Sequence, residues 1–116
     1  MSISRPLRIA LPFLLAFILF MALSPHPPGT PIDRFGDKFQ HMAAFATLAV
    51  HARLAYPHAS AWRILERLVL FGATIEVFQN IPSLHRSCDW HDWLADTVAA
   101  GVVLILCHGV RKAMAR

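Results

Sequence analysis

Four apolar stretches occupy most of this chain of 116 residues and constrain its fold more than any other feature. Hydrophobic residues make up 56% of the sequence, and the mean hydropathy is +0.48. A soluble domain of this size would struggle to hide so much apolar surface from water. The pattern predicts a membrane protein with a single domain. The stretches cover residues 9–23, 39–56, 61–79 and 90–110.

The first and third stretches are shorter than the roughly 20 apolar residues that a spanning helix needs, but Arg and Trp side chains at their ends can reach the interface. The first stretch follows Arg5 and Arg8 and also fits a cleaved signal peptide. Pro25, directly after Ser24, is unfavourable for cleavage and favours a retained helix. We therefore predict an all-α bundle of four transmembrane helices, at about residues 9–23, 37–56, 61–79 and 89–110.

Basic residues lie mostly on one side of this four-span topology, since eight of the eleven Lys and Arg residues flank helix ends that would lie together. Because positive charge favours cytoplasmic loops, both termini are predicted to be cytoplasmic. Trp90 and Trp93 would then lie in an outer aromatic belt. The net charge of +4 is not clustered on one face, which argues against nucleic-acid binding. The eight are Arg5, Arg8, Arg53, Arg63, Arg67, Arg111, Lys112 and Arg116.

A lone carboxylate, Glu76, follows an apolar run at residues 68–75. An ionisable side chain in or near hydrocarbon is costly and indicates a functional site by default. Three polar blocks on the predicted outer side supply partners for it. The aspartates of the third block are spaced i, i+3 and i+7, so they form a stripe that must face other helices or water. The blocks are Asp37, Lys38 and His41; Glu76 and Gln79; and Arg86, Asp89, Asp92 and Asp96.

These blocks contain five carboxylates against two cationic side chains, a formal charge of −3 with neutral histidines. In a partly dry site this imbalance requires protonated carboxylates, a cationic histidine (His41, His85 or His91) or a bound cation. His41 and Glu76 with neighbouring His and Asp side chains would suit zinc or manganese, although the sequence has no compact metal signature. We therefore predict no defined metal site and keep a divalent cation as a candidate cofactor.

The three blocks in this order resemble the VanZ-like family of small bacterial membrane proteins. The resemblance extends from residue 37 to about residue 101 and includes the four-helix layout. It implies a multi-pass protein of the bacterial inner membrane, in a family associated with resistance to the glycopeptide teicoplanin and without a settled chemical mechanism. The resembling segments are Asp37-Lys38-Phe39-Gln40-His41 with Phe45, Glu76-Val77-Phe78-Gln79, and Arg86 through Asp92 to Asp96 with Ala99-Ala100-Gly101.

One position departs from the family pattern, which usually has Asn four residues after the Asp of the third block. Here that position is Asp96. An amide both donates and accepts hydrogen bonds, so a carboxylate replaces it only if it is protonated or paired. The substitution adds to the negative excess of the cluster.

The leading hypothesis is a periplasmic-face site that binds or processes an envelope lipid or a lipid-linked cell-wall precursor. Glu76 or Asp92 would act as general base, and His41 would shuttle a proton. The predicted substrate contacts, among which Lys38 and Arg86 would hold an anionic group, are Asp37, Lys38, Gln79, Arg86 and Asp96.

Two alternatives stay open. In the first, the chain is a non-enzymatic partner or stability factor, and contacts such as Glu76 with Arg86 only lock the helices together. In the second, the bundle carries a cation or proton pathway; the predicted inner half lacks matching carboxylates, so this hypothesis ranks last. Membrane lipids are the expected partners in all three cases, and the oligomeric state stays open.

Overall fold

The described part of the chain forms a bundle of four α-helices, in which consecutive helices run antiparallel. The computed structural model describes residues 3–23, 37–79 and 90–114, and for residues 37–39 the backbone alone. No strand occurs in this part of the chain, so the predicted all-α class with four helices is confirmed. The helices are α1, Ser4–Leu23; α2, Asp37–Ala55; α3, Ala61–Gln79; and α4, Trp90–Met114.

The helix bounds differ from the predicted ones where charged residues flank the apolar runs. α1 begins at Ser4 rather than at residue 9, and α4 continues to Met114 rather than ending at residue 110. The predicted bounds followed hydropathy, whereas backbone hydrogen bonding continues through a polar flank as long as no residue breaks it. Pro12 lies inside α1, where it removes one backbone hydrogen bond.

Contacts between helix ends fix the direction of each helix. His51, near the end of α2, has its Nε2 atom 2.7 Å from the carbonyl oxygen of Leu7, near the start of α1. Arg111, near the end of α4, donates a 2.7 Å hydrogen bond to the carbonyl of Pro57, in the turn between α2 and α3. One end of the bundle therefore combines the start of α1, this turn and the end of α4. We call it the basic end, after its described cationic side chains Arg5, Arg8, Arg53, Arg63, Arg67, Arg111 and Lys112.

α2 is the central helix of the bundle. It packs most extensively against α4 and also contacts α1 and α3. Its inward face carries Ala49, Ala52 and Ala55, which are at most 7% exposed. Small side chains allow close approach of helix backbones, which is how helices associate where no hydrophobic driving force acts between them.

The outer surface of the bundle is strongly apolar. Phe13, Phe17 and Phe20 of α1 are 73%, 59% and 61% exposed, and Ile105 and Leu106 of α4 are also exposed. An exposed patch of this extent is rare on soluble monomers and marks a surface that meets another apolar phase. Among the described helices, α1 and α4 are long and apolar enough to cross a membrane.

Candidate functional site

Four polar side chains are buried in the half of the bundle remote from the basic end. Their exposed fractions are 9% for His41, 1% for Glu76, 2% for Gln79 and 3% for Asp96. We call these four residues the polar cluster. Burying a charged group is costly unless the group is paired and hydrogen-bonded, so this concentration needs a physical or functional reason.

An ion-pair contact between His41 and Asp96 joins α2 to α4. The Nδ1 atom of His41 lies 3.8 Å from Oδ2 of Asp96, and both side chains are almost fully covered. This contact is longer than a hydrogen bond, and it places an imidazole, the side chain most often used for proton transfer, beside a carboxylate. The pair is thus equipped for acid–base chemistry or for holding a polar ligand group.

Gln79 anchors the end of α3 to the end of α1. Its Nε2 atom donates a 2.8 Å hydrogen bond to the carbonyl oxygen of Ala22. The last carbonyls of a helix have no partner within that helix, so a side-chain amide is a favourable donor there. The sequence predicts Gln79 as a substrate contact, and in the structure this residue makes an interhelical hydrogen bond.

A close contact at Gly72 brings α2, α3 and α4 together next to the polar cluster. A Cβ atom at this position would lie 3.1 Å from Cδ1 of Trp93 and 3.3 Å from Cζ of Phe45. Trp93 also donates from Nε1 to the carbonyl of Val69, at 3.1 Å. Trp93 therefore turns toward α3, and its predicted place in an outer aromatic belt stays a prediction. Only a residue without a side chain fits here without displacing a ring.

The same contact fixes the level of Glu76 in the bundle. His41 lies one helical turn before Phe45, and Glu76 lies one turn after Gly72. Because α2 and α3 run antiparallel, both steps lead toward the same end. Glu76 is therefore buried at the level of His41, in the half of the bundle that holds the pair with Asp96.

The other predicted site residues lie at the edge of the described structure or outside it. Asp92 is half-buried in the first turn of α4, where a carboxylate complements the helix dipole. Asp37 and Lys38 begin α2, but their side chains lie outside the described part. Arg86 lies outside the described residues altogether, as do His85 and Asp89 of the predicted cluster.

Within the described part of the chain, no group of three or more His, Cys, Asp or Glu side chains is placed to hold a metal ion. The divalent cation predicted as a candidate therefore gains no support from these residues. Comparisons with family models, with curated proteins and with solved structures found no match. What the site can do follows from its own geometry, which offers an imidazole–carboxylate pair and a second carboxylate inside an apolar shell.

Proposed function

We propose that this chain is a VanZ-like protein of the bacterial inner membrane, whose polar cluster binds or processes a polar envelope lipid or lipid-linked precursor. The observation that carries the proposal is that charged side chains lie inside the bundle and large apolar ones outside, the reverse of the arrangement in a soluble protein. Glu76 and Asp96 are almost fully buried, whereas the large apolar side chains of α1 and α4 face outward. In a membrane, polar groups inside a bundle mark ligand or proton sites, because lipid gives them no other partner.

The proposed membrane placement includes all four helices. α1 and α4 qualify as spans by length and composition, and α2 and α3, each 19 residues long, pack between them. A 19-residue helix is about 28 Å long, close to the thickness of the hydrocarbon core. With the basic end in the cytoplasm, the polar cluster faces the periplasm.

The VanZ-like assignment is supported by the order of the three polar blocks. The structure adds one supporting contact, because His41 of the first block lies beside Asp96 of the third. In this proposal His41 with Asp96 moves a proton, and Glu76 binds or activates a polar group of the ligand. Lys38 and Arg86 keep their proposed role of holding its anionic group.

A lipid-resolved mass spectrum of the protein in mild detergent tests the proposal, with Glu76→Gln as the decisive variant. Glu66→Gln is the matched control, because Glu66 is an exposed residue of the same helix. We expect a polar lipid to co-purify with wild type and with the control, and to fall at least about tenfold with Glu76→Gln, as for loss of a charged hydrogen bond. Equal lipid content in all three proteins would refute the proposal.

A second candidate function is a non-enzymatic bundle in which the polar cluster serves only stability. It is favoured by the fact that both described contacts of the cluster join helices: His41 to Asp96, and Gln79 to Ala22. On this hypothesis Glu76→Gln fails to accumulate in the membrane, whereas Glu66→Gln accumulates like wild type.

A further inference from the structure

A groove begins at the basic end and extends along α3 as far as Thr74, and no residue of the polar cluster lines it. It has a volume of about 640 Å³ and opens between α1, the end of α2 and α3. Leu11 and Leu15 of α1 form one wall, and Ile64, Leu68 and Phe71 of α3 form the other. An apolar groove of this size on the outer surface of a membrane bundle is filled by something with an apolar body.

Cationic side chains surround the mouth of this groove. Arg63 and Arg67 both line it, and their spacing of four residues places them on one face of α3. Tyr56 also lines it, and the guanidinium carbon of Arg8 lies 5.9 Å from the centre of the Tyr56 ring. At the basic end, Glu66 is the one carboxylate among the described residues, against seven cationic side chains. The mouth is therefore complementary to an anion.

The groove is long enough to hold an acyl chain of one membrane leaflet. Arg63 and Thr74 both line it, and the eleven helical steps between them extend about 16 Å. The hydrocarbon of one leaflet is about 15 Å deep, half the thickness of a typical core. Because the middle of α3 is at Leu70, which also lines the groove, a chain lying along α3 with its polar head at Arg63 would reach the level of the bilayer midplane inside the groove.

We propose that the groove holds an acyl chain of an anionic phospholipid, with the lipid phosphate bound by Arg63 and Arg67. Basic pockets between membrane helices on the cytoplasmic side are suited to anionic head groups, and planar guanidinium groups pair with phosphate through two hydrogen bonds. The inference rests on the membrane placement proposed above, but not on any ligand of the polar cluster.

The charges at the mouth favour an anionic phospholipid over a zwitterionic lipid or a second copy of the chain. A zwitterionic lipid would fill the apolar walls equally well but would gain much less from two adjacent guanidinium groups. A second copy of the chain would bring its own basic end against this one, because both copies have the same orientation in the membrane. Like charges facing each other oppose such a contact.

Native mass spectrometry of the full-length protein in detergent can measure this binding, with phosphatidylglycerol and phosphatidylcholine of identical acyl chains as the two probes. The decisive variant is Arg63→Gln/Arg67→Gln. The matched control is Arg5→Gln/Lys112→Gln, which removes two exposed charges from the same end outside the groove lining. A third variant, Ala59→Phe, narrows the groove without changing its charge. All four side chains that lose charge are exposed, so circular dichroism should show unchanged helix content.

We expect wild type to bind phosphatidylglycerol at least about tenfold more tightly than phosphatidylcholine, and the Arg63/Arg67 double variant to lose about 30-fold in affinity for phosphatidylglycerol. The control should lose less than about threefold, because unbound charges at a surface act only through a screened field. Ala59→Phe should weaken both lipids.

Three results would overturn the proposal: equal binding of the two lipids by wild type, equal losses in both double variants, or unchanged binding by Ala59→Phe. Equal binding of the two lipids would mean that the groove does not distinguish head groups. Equal losses in both double variants would mean that the lipid is attracted by the surface charge as a whole, and unchanged binding by Ala59→Phe would mean that the lipid binds elsewhere. The lipid that co-purifies with wild type and is lost with Glu76→Gln should be retained by Arg63→Gln/Arg67→Gln, so failure of the periplasmic-site proposal and failure of this one give different patterns.

Discussion

The two ends of this bundle use charge in opposite ways. In the half that holds the polar cluster, His41, Glu76 and Asp96 point inward and are almost fully buried. At the basic end, Arg63 and Arg67 are exposed, and the space between the helices is an apolar groove. The buried side chains are stabilised by partners within the protein, whereas the exposed arginines interact with what surrounds the protein. Substitutions should therefore change the free energy of unfolding more at the polar cluster than at the basic end.

Closeness of packing differs between two helix positions at about the same level of the bundle. Gly72 lets the rings of Phe45 and Trp93 approach the α3 backbone. Gly101 of α4 has no described atom within 4 Å of the place where a Cβ would be. The same residue type thus has a steric role at Gly72 and none at Gly101.

The largest effect is expected from removing one partner of the buried pair. Asp96→Ala leaves His41 without this carboxylate and should lower the free energy of unfolding by about 3–5 kcal/mol, as for other broken buried pairs. Titration of the protein with a denaturing detergent, followed by circular dichroism, measures the change. Asp96→Asn keeps the shape and a hydrogen-bonding group, and should cost much less. A loss below about 1 kcal/mol for Asp96→Ala would show that the pair does not stabilise the bundle.

The next largest effect tests the contrast between the two glycines. Gly72→Ala places a methyl group against Trp93 and Phe45 and should cost about 1–3 kcal/mol of unfolding free energy, in the range of overpacked cores. Gly101→Ala meets nothing and should gain up to about 1 kcal/mol from better helix propensity. Opposite signs support close packing at Gly72 and open space at Gly101. Equal shifts would contradict this difference in packing.

A smaller effect is expected from the contact between α3 and α1. Gln79→Leu removes the hydrogen bond to the Ala22 carbonyl and should cost about 1 kcal/mol of unfolding free energy. Thr74→Val is the control, because the Thr74 hydroxyl donates to Leu70 within the same helix at an exposed position. Its loss should stay within about 0.5 kcal/mol. If both variants lose the same amount, the interhelical bond contributes no more than an exposed intrahelical one.

The number of helices could be predicted from the sequence because four apolar runs are separated by segments that contain proline. The contacts between side chains of different helices could not be predicted from it. Spacing places His41 on one face of its helix, but it does not say how that helix rotates against α4, so the contact of His41 with Asp96 follows only from packing. Trp93 shows the same limit. Its place near the start of α4 does not reveal that the space left by Gly72 admits the indole against α3.

The smallest effect on stability is expected at the basic end, and it completes the comparison. Arg63→Gln removes an exposed charge that faces a groove rather than a carboxylate, so the free energy of unfolding in neutral detergent should change by less than about 0.5 kcal/mol. Arg111→Gln is the matched variant, because Arg111 donates to the Pro57 carbonyl and should cost about 1 kcal/mol. With phosphatidylglycerol added, the order should change: wild type and Arg111→Gln gain stability by ligand binding, and Arg63→Gln gains less. If Arg63→Gln is already destabilised without lipid, the charges at this end stabilise the protein fold itself, and the two ends differ in exposure alone.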